Sequence, residues 1–493
     1  MARARPFLPI LACALSLACA TPSETATPAS NPPAPTSTSA TAVPEYWEGF
    51  IALPGGRTLE FYAHFTPGSE RPHAGTIDIP AQGARALPLH DVELGAERLS
   101  FRLDEKIGAS WDCRWQESEA TCTFRQHGLE VEAEMEAIGA EEFAEATKLR
   151  RPQTPEPPFP YAAEEVEFDN ADQGVHLAGT LTIPEGDGPF PAVLLISGSG
   201  AQDRDETLFE HKPFWVLADH LSRRGVAVLR VDDRGVGKST GNVADATSED
   251  FATDVLAGIA FLKQRPELDA EKLGLIGHSE GGLIAPLAAN RSKDVAFVVL
   301  LAAPGVPGRE IIDHQARLIA EKSGAGPDLI ARDEEQRHRM YAILAEHPDD
   351  DDARRELVAY YRAQLDALPE RERESLGDLD KVARAQVGEV ASPWFRFFLE
   401  FDPGEELRKL KIPVLALWGE KDLQVDPEQN LPALRKALKK ARNRKATLEV
   451  MPGLNHLFQT AQRGTPDEYV RIEETLDPAV LGRIAEWIAD QTH

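Results

Sequence analysis

The sequence predicts an α/β protein: a mostly parallel sheet flanked by helices, carrying a helical cap insertion and preceded by a small all-β domain. Three observations carry that reading. From Ala192 onward, wholly apolar runs alternate with amphipathic helical stretches, as strands buried on both faces require. One such run, Leu273-Gly274-Leu275-Ile276, stops at Gly277-His278-Ser279-Glu280-Gly281 and continues into the small-residue stretch Leu283–Ala289. A strand must therefore turn into a helix within two or three residues, which demands glycine on either side of Ser279. Ahead of Met135, by contrast, short runs alternate apolar with polar residues, and turn residues break them roughly every eight to twelve positions.

With 493 residues the chain exceeds one compact core, so two or three units are expected. A formal net charge of -28 argues against a nucleic-acid partner, because binding the phosphate backbone needs clustered Lys and Arg. Four cysteines are too few for a disulfide scaffold. Arg3 and Arg5 followed by apolar Phe7–Ala18 read as a signal peptide over residues 1–18, too short to span a bilayer. Ser16-Leu17-Ala18-Cys19 resembles a bacterial lipobox, which implies acylation of Cys19, although Ser16 stands where an aliphatic residue is usual. Ordinary cleavage after Ala18-Cys19-Ala20 is the alternative. Residues 19–44 form a Ser/Thr/Pro/Ala-rich tether that cannot build a core. The expectation is an exported protein, a lipoprotein anchored in the outer membrane or facing the periplasm, touching the membrane only through its lipid.

Residues 45–148 form the expected all-β domain, a sandwich or open barrel, with alternating runs at Leu59–Phe65, Gly75–Pro80 and Leu99–Leu103. It contains no Ser/His/acid set and no metal spacing. Cys113 and Cys122 flank Arg114–Thr121, which folds as a hairpin and brings the two sulfurs opposite one another, as a disulfide or as two buried thiols. Residues 149–160 are a Pro-rich linker. The second domain occupies 161–493, with the cap at about 306–411.

That domain opens with a hairpin, Val166–Phe168 and Val175–Ile183, and a buried strand, Ala192–Ile196. The strand empties into Ser197–Asp205, whose small residues leave backbone N–H groups free to point at a substrate. Next come a helix over Phe214–Arg224, a strand at Val226–Val231, and Asp232–Ser239, which ends like a phosphate-binding loop. It fails that test, because the first glycine of the motif would fall at Asp232. Asp233 and Arg234 are instead expected to brace the loops beside Ser279. After the strand Phe297–Leu301 the alternation gives way to the cap, where Trp394–Leu399 is either cap core or the wall of an acyl pocket. The sheet resumes at Pro413–Trp418 and Thr447–Met451, and a helix closes the chain around Pro478–Ala489.

Ser279 on the turn, an acid just past a later strand end and a histidine past the last strand are the parts of an acyl-transfer site. His456 is the base, being the histidine that follows the last strand. Asp422 is the chosen acid, ahead of Asp426 and Glu420. The backbone N–H groups of Ser199 and Glu280 are the expected oxyanion donors, with Gly198 as the alternative to Ser199.

With these residues in place, the region from about Ala162 onward resembles the α/β-hydrolase superfamily, in its serine carboxylesterase and S33-like aminopeptidase branch. The matching segments are Gly277–Gly282, Gly198–Asp205, Asp233–Ser239, Gly419–Asp422 and Asn455-His456. The N-terminal β domain resembles modules found ahead of such hydrolases. The resemblance implies hydrolysis of carboxylic esters through an acyl-enzyme, with a small-molecule ester as partner and no cofactor or metal. A cap rich in helices and aromatics that closes over a bounded pocket leads to the expectation of short or medium acyl chains. An S33-like aminopeptidase or amidase with the same triad is the alternative. A surface-anchored binding protein with a vestigial hydrolase is a third reading.

Overall fold

The computed structural model describes residues 43–492 apart from 54–56, 67–72, 83, 105–106, 127–128, 371–372, 374–375, 377 and 389. The signal peptide, Cys19 and nearly all of the tether lie outside the described residues. The chain divides into two compact units: residues 151–357 with 387–493, and the residues described up to 150 with 358–386. The expected cap of 306–411 is thus shared between them.

In the first stretch of chain, strands β1 (Tyr46–Leu53), β2 (Arg57–Thr66), β3 (Ala74–Ile79), β4 (Ala84–Pro88), β5 (His90–Leu94), β6 (Arg98–Arg102), β7 (Ala109–Gln116), β8 (Glu119–Gln126) and β9 (Leu129–Ala137) form one antiparallel sheet in the order β4-β3-β2-β1-β9-β8-β7-β6-β5. Its two edges are consecutive strands, β4 (Ala84–Pro88) and β5 (His90–Leu94). Past β4 the chain continues to pair alongside β3 (Ala74–Ile79): the Leu89 N–H donates to the Gly75 carbonyl at 2.8 Å, and His73 bridges Val92. The sheet therefore curls round on itself as a barrel, more closed than the open barrel expected and not the alternative sandwich. Period-two alternation explains it, because Trp47, Phe61, Phe65, Phe101, Trp111 and Phe124 all point inward and are buried. Cys113 and Cys122 stand opposite each other in register on β7 (Ala109–Gln116) and β8 (Glu119–Gln126) and are joined by a disulfide. A short helix, α1 (Ala140–Ala146), follows.

The Pro-rich stretch does not behave as a free spacer. Arg151 donates to the carbonyls of Phe209, Val470 and Ile472, and Gln153 bonds the backbone of Thr475 and Leu476. One guanidinium satisfies three loop carbonyls, so the start of the second stretch is pinned to its own end.

The second stretch of chain holds an eight-stranded sheet, order β10-β11-β13-β12-β14-β15-β16-β17. β10 (Tyr161–Asn170) and β11 (Val175–Pro184) form the predicted hairpin, and β11 pairs antiparallel with β13 (Ala227–Val231). The remaining strands, β12 (Phe190–Ile196), β14 (Leu268–His278), β15 (Phe297–Leu301), β16 (Val414–Gly419) and β17 (Ala446–Met451), run parallel. β12, β15, β16 and the second half of β14 are apolar because helices cover both faces, whereas the edge strand β17 is half-buried. Helices α2 (Pro213–Ser222) and α12 (Pro478–Thr492) bury Phe214, Leu217, Ile484 and Trp487 on one side. Helices α3 (Ser248–Lys263), α4 (Gly281–Arg291) and α11 (Pro427–Lys440) bury Ile259, Leu262, Leu283 and Leu434 on the other. Between β15 and β16 come α5 (Gly308–Lys322), α6 (Pro327–Glu346), α7 (Asp350–Asp366), α8 (Leu379–Val387), α9 (Pro393–Glu400) and α10 (Pro403–Leu407). Among the described residues no helix is long and apolar enough to cross a membrane.

At the junction of β14 and α4, Ser279 takes the left-handed backbone conformation, φ 53°. A Cβ on Gly277 would lie 2.0 Å from the Gly281 carbonyl oxygen, and one on Gly281 would lie 2.2 Å from that of Ile196. Both contacts are with backbone, so no side-chain rotation relieves them. Gly277→Ala is expected to destabilise the full chain by about 1–3 kcal/mol, the usual cost of overpacking. The measurement is the denaturant midpoint, and a variant as stable as the wild type would disprove the constraint.

Candidate active site

The loops that leave the carboxyl ends of β12, β14, β16 and β17 meet around one cavity of about 150 Å³. Ser279 and His456 both line it. Ser279 is held by its own backbone, its N–H donating to the Leu301 carbonyl at 2.8 Å while its carbonyl accepts from the Gly282 N–H at 2.9 Å. The strained φ therefore fixes the direction in which the hydroxyl leaves the turn.

Past β16, Asp422 is almost completely buried. Its Oδ1 accepts from the N–H groups of Gln424 and Val425, both at 2.8 Å, and its Oδ2 lies 2.9 Å from His456 Nδ1. Two amides and one imidazole thus satisfy the carboxylate, which sets the imidazole with Nδ1 toward the acid and leaves Nε2 free of it. The two other acids considered from sequence are engaged elsewhere. Asp426 caps α11 by accepting from the Glu428 N–H and pairs with His314 of α5 at 2.6 Å. Glu420 accepts from the Gly453 N–H at 2.8 Å.

Of the two loop amides weighed as oxyanion donors, the Gly198 N–H is occupied, donating to Glu206 Oε1 at 2.7 Å. No described residue accepts from the N–H of Ser199 or of Glu280. A Cβ on Gly198 would come within 3.3 Å of the Ser279 Cβ, so this loop lies directly against the turn.

The bracing expected of Asp233 and Arg234 is present. Asp233 accepts from the Ser197 hydroxyl and the Gln202 N–H, both at 2.9 Å, and Arg234 pairs with Asp254 at 2.8 Å. The Asp203-Arg204-Asp205 run is structural too. Arg204 holds Asp232 at 2.7 Å, Asp205 pairs with the buried Arg230, and Asp203 accepts from the N–H groups of Asp205 and Thr207.

Three buried side chains at the site were not singled out from the sequence as interacting groups. Glu280 contributes its carboxylate as well as its amide: it accepts from the Ser248 hydroxyl at 2.6 Å and from Trp394 Nε1 at 2.8 Å. Burial pushes its carboxyl above the usual range, against hydrogen bonds from Ser248, Trp394 and Ser199. Glu206 Oε1 lies 2.9 Å from His278 Nδ1, and His278 Nε2 lies 3.1 Å from the His456 carbonyl. No local pattern marks a Glu or a His as buried, so composition and spacing could not have found them.

The cavity wall is apolar on the cap side, where Trp394 and Phe398 of α9 stack at 5.5 Å while Phe395 is wholly buried. The aromatic run therefore serves both as cap core and as cavity wall. The lining also includes Gln202, His211, Gln424, Gln459 and Tyr469. Burial pushes the His211 imidazole down to about 4, so it is neutral at physiological pH. Among the described residues that line the cavity none is Lys or Arg.

The sequence profile of the alpha/beta hydrolase family matches residues 193–472. Esterase EstD of Thermotoga maritima is 28% identical over 329 residues, covering 65% of this chain and 68% of its own. Thiohydrolase aneE of Aspergillus aculeatus is 32% identical over 136 residues, 27% of this chain and 40% of the relative. Among solved structures, a Pyrococcus furiosus esterase covers 67% of this chain and 91% of its own at 17% identity, with a TM-score of 0.40. The profile spans more than half of the sequence, from β12 through the loop that carries His456, and the chain belongs to the alpha/beta hydrolase family.

Proposed function

We propose that the protein is a serine carboxylesterase acting on neutral esters of short or medium acyl chains through an acyl-enzyme. The observation that carries this reading is the buried His456–Asp422 pair, 2.9 Å apart, on the cavity that Ser279 enters from a strained turn. In this mechanism His456 Nε2 takes the Ser279 proton as the hydroxyl attacks the ester carbonyl. The N–H groups of Ser199 and Glu280 stabilise the oxyanion, and the bond to the alcohol breaks as His456 returns the proton to it. Water, deprotonated by His456, then releases the acid and restores Ser279. The Asp422 carboxylate favours the imidazolium formed in each step.

One feature favours ester over aminoacyl substrates, and a second favours neutral acyl groups. An aminoacyl substrate carries an ammonium that calls for a free carboxylate, yet both glutamates among the described residues lining the cavity are occupied, Glu206 by Gly198 and His278, Glu280 by Ser248 and Trp394. The absence of Lys and Arg from the described lining likewise offers nothing to a carboxylate-bearing acyl group. A cavity of about 150 Å³ is the size that holds a benzene-sized ligand, which suits short acyl groups.

The export reading belongs to the same proposal. The apolar Phe7–Ala18 segment and Cys19 support a lipid-anchored protein whose tether holds the enzyme clear of the membrane. Its net charge of -28 favours no contact between the body and an acidic lipid surface.

Ser279→Ala and His456→Ala are each expected to abolish hydrolysis of p-nitrophenyl esters and labelling by a fluorophosphonate. Asp422→Asn should lower kcat on the order of 10⁴-fold through the wrong imidazole tautomer. Either alanine variant keeping more than a trace of activity would refute the assignment. Phe398→Ala removes one ring of the cap wall and should move the acyl-chain preference toward longer esters. A chain-length profile identical to wild type would remove α9 from the acyl pocket. Cys19→Ser should transfer an active enzyme from the membrane to the soluble fraction. A wild-type protein already soluble, without lipid mass on Cys19, would contradict the anchor.

A further inference from the structure

The His278 ring is buried between two hydrogen-bond acceptors. Glu206 Oε1 lies 2.9 Å from its Nδ1, and the carbonyl oxygen of His456 lies 3.1 Å from its Nε2. A neutral imidazole carries one N–H and cannot donate to both. The same Glu206 oxygen accepts from the Gly198 N–H at 2.7 Å. One carboxylate oxygen and one imidazole therefore link the loop after β12, the end of β14 and the loop that carries His456. The three segments hold the proposed oxyanion donors, the nucleophile and the base.

We propose that Glu206 and His278 are positioning residues for the reaction, His278 being an imidazolium whose two N–H groups clamp Glu206 and the His456 backbone. The proposal rests on the assignment of Ser279 and His456 above. The titratable groups facing the ring are Glu206, His456, whose ring centroid is 4.9 Å away, and Asp422. Glu280, two residues along the chain, turns its carboxylate to Ser248 and Trp394 instead. Burial alone would lower the His278 value, but the charge and hydrogen bond of Glu206, the His456 carbonyl and the charge of Asp422 outweigh it and hold it above the ordinary histidine value.

The sign follows from that direction. Below its raised pKa His278 keeps both N–H groups and the clamp is closed. As pH rises through that pKa the ring gives one proton to solvent, one acceptor loses its donor, and the His456 loop is released. The loss falls on kcat, because neither residue is expected to bind the ester itself. Glu206→Gln keeps an amide oxygen that can still accept from Gly198 and His278, but it removes the negative charge. His278 then loses its proton at lower pH.

The test is kcat and KM for a neutral short-chain ester from about pH 5 to 10, on the full chain and on Glu206→Gln. The variant is expected to match the wild type on the acid side. At weakly alkaline pH its kcat should fall roughly ten- to a hundredfold, the range set by losing a hydrogen bond to a charged group, with KM nearly unchanged. A merely structural role would lower thermal stability and leave the pH profile in place. Independently, ¹⁵N NMR of histidine-labelled wild type at neutral pH should show a doubly protonated ring whose signal disappears in His278→Gln. A neutral His278 ring at neutral pH would overturn the proposal, as would a folded Glu206→Gln with the wild-type profile. Should Glu206→Gln fail to fold, the wild-type spectrum decides alone. Activity surviving in Ser279→Ala would instead refute the triad assignment, and the ring's protonation state separates that failure from this one.

Discussion

Between the last residue of β14 and the first of α4 the chain reverses direction over Ser279 and Glu280, with backbone packed on backbone at both ends. Gly277 meets the Gly281 carbonyl and Gly281 meets that of Ile196, so no side chain fits at either position. The closeness of that packing brings β12 and its loop against the turn. Everything else at the site is arranged around the fixed point that results. The Ser199 loop lies beside it, α9 closes over it, and the loop after β17 approaches from the far side.

Buried carboxylates do most of the fastening. Asp422 holds the His456 ring, Glu206 joins Gly198 to His278, and Glu280 receives Trp394 from the cap. An unpartnered carboxylate in such a place would be costly, and each of these is met by two or more donors. The Glu280 contact ties the residue that carries one proposed oxyanion amide to the helix that carries the cavity's aromatic wall. The position of α9 and the geometry of the oxyanion site are therefore coupled through a single side chain.

The surrounding ion pairs work at one remove. Arg204 with Asp232, Asp205 with Arg230, and Arg234 with Asp254 fasten the loops after β12 and β13 to one another and to α3. Such pairs, partly withdrawn from solvent, join the loops at a desolvation cost that offsets much of their mutual attraction. A sequence reader sees in Asp203-Arg204-Asp205 a charged run like many others. Its role depends on partners 25 and 28 residues away.

What the sequence determined by itself was whatever depends on local pattern. Apolar runs of strand length are legible because a strand covered on both faces admits little else, and Gly277-x-Ser279-x-Gly281 is legible because a strand-to-helix turn excludes side chains. The chain order of Ser279, Asp422 and His456 was readable for the same reason, since each follows a recognisable strand. The choice of Asp422 over Asp426 was a preference until the structure put one against His456 and the other against His314. Only the tertiary structure decided the partners of Glu206, His278 and Glu280. His278 meets a glutamate 72 residues earlier and a carbonyl 178 residues later, and Trp394 reaches Glu280 across 114. A buried polar side chain and a solvated one have the same letter in a sequence. The difference lies in which distant groups surround it, and long-range packing sets that.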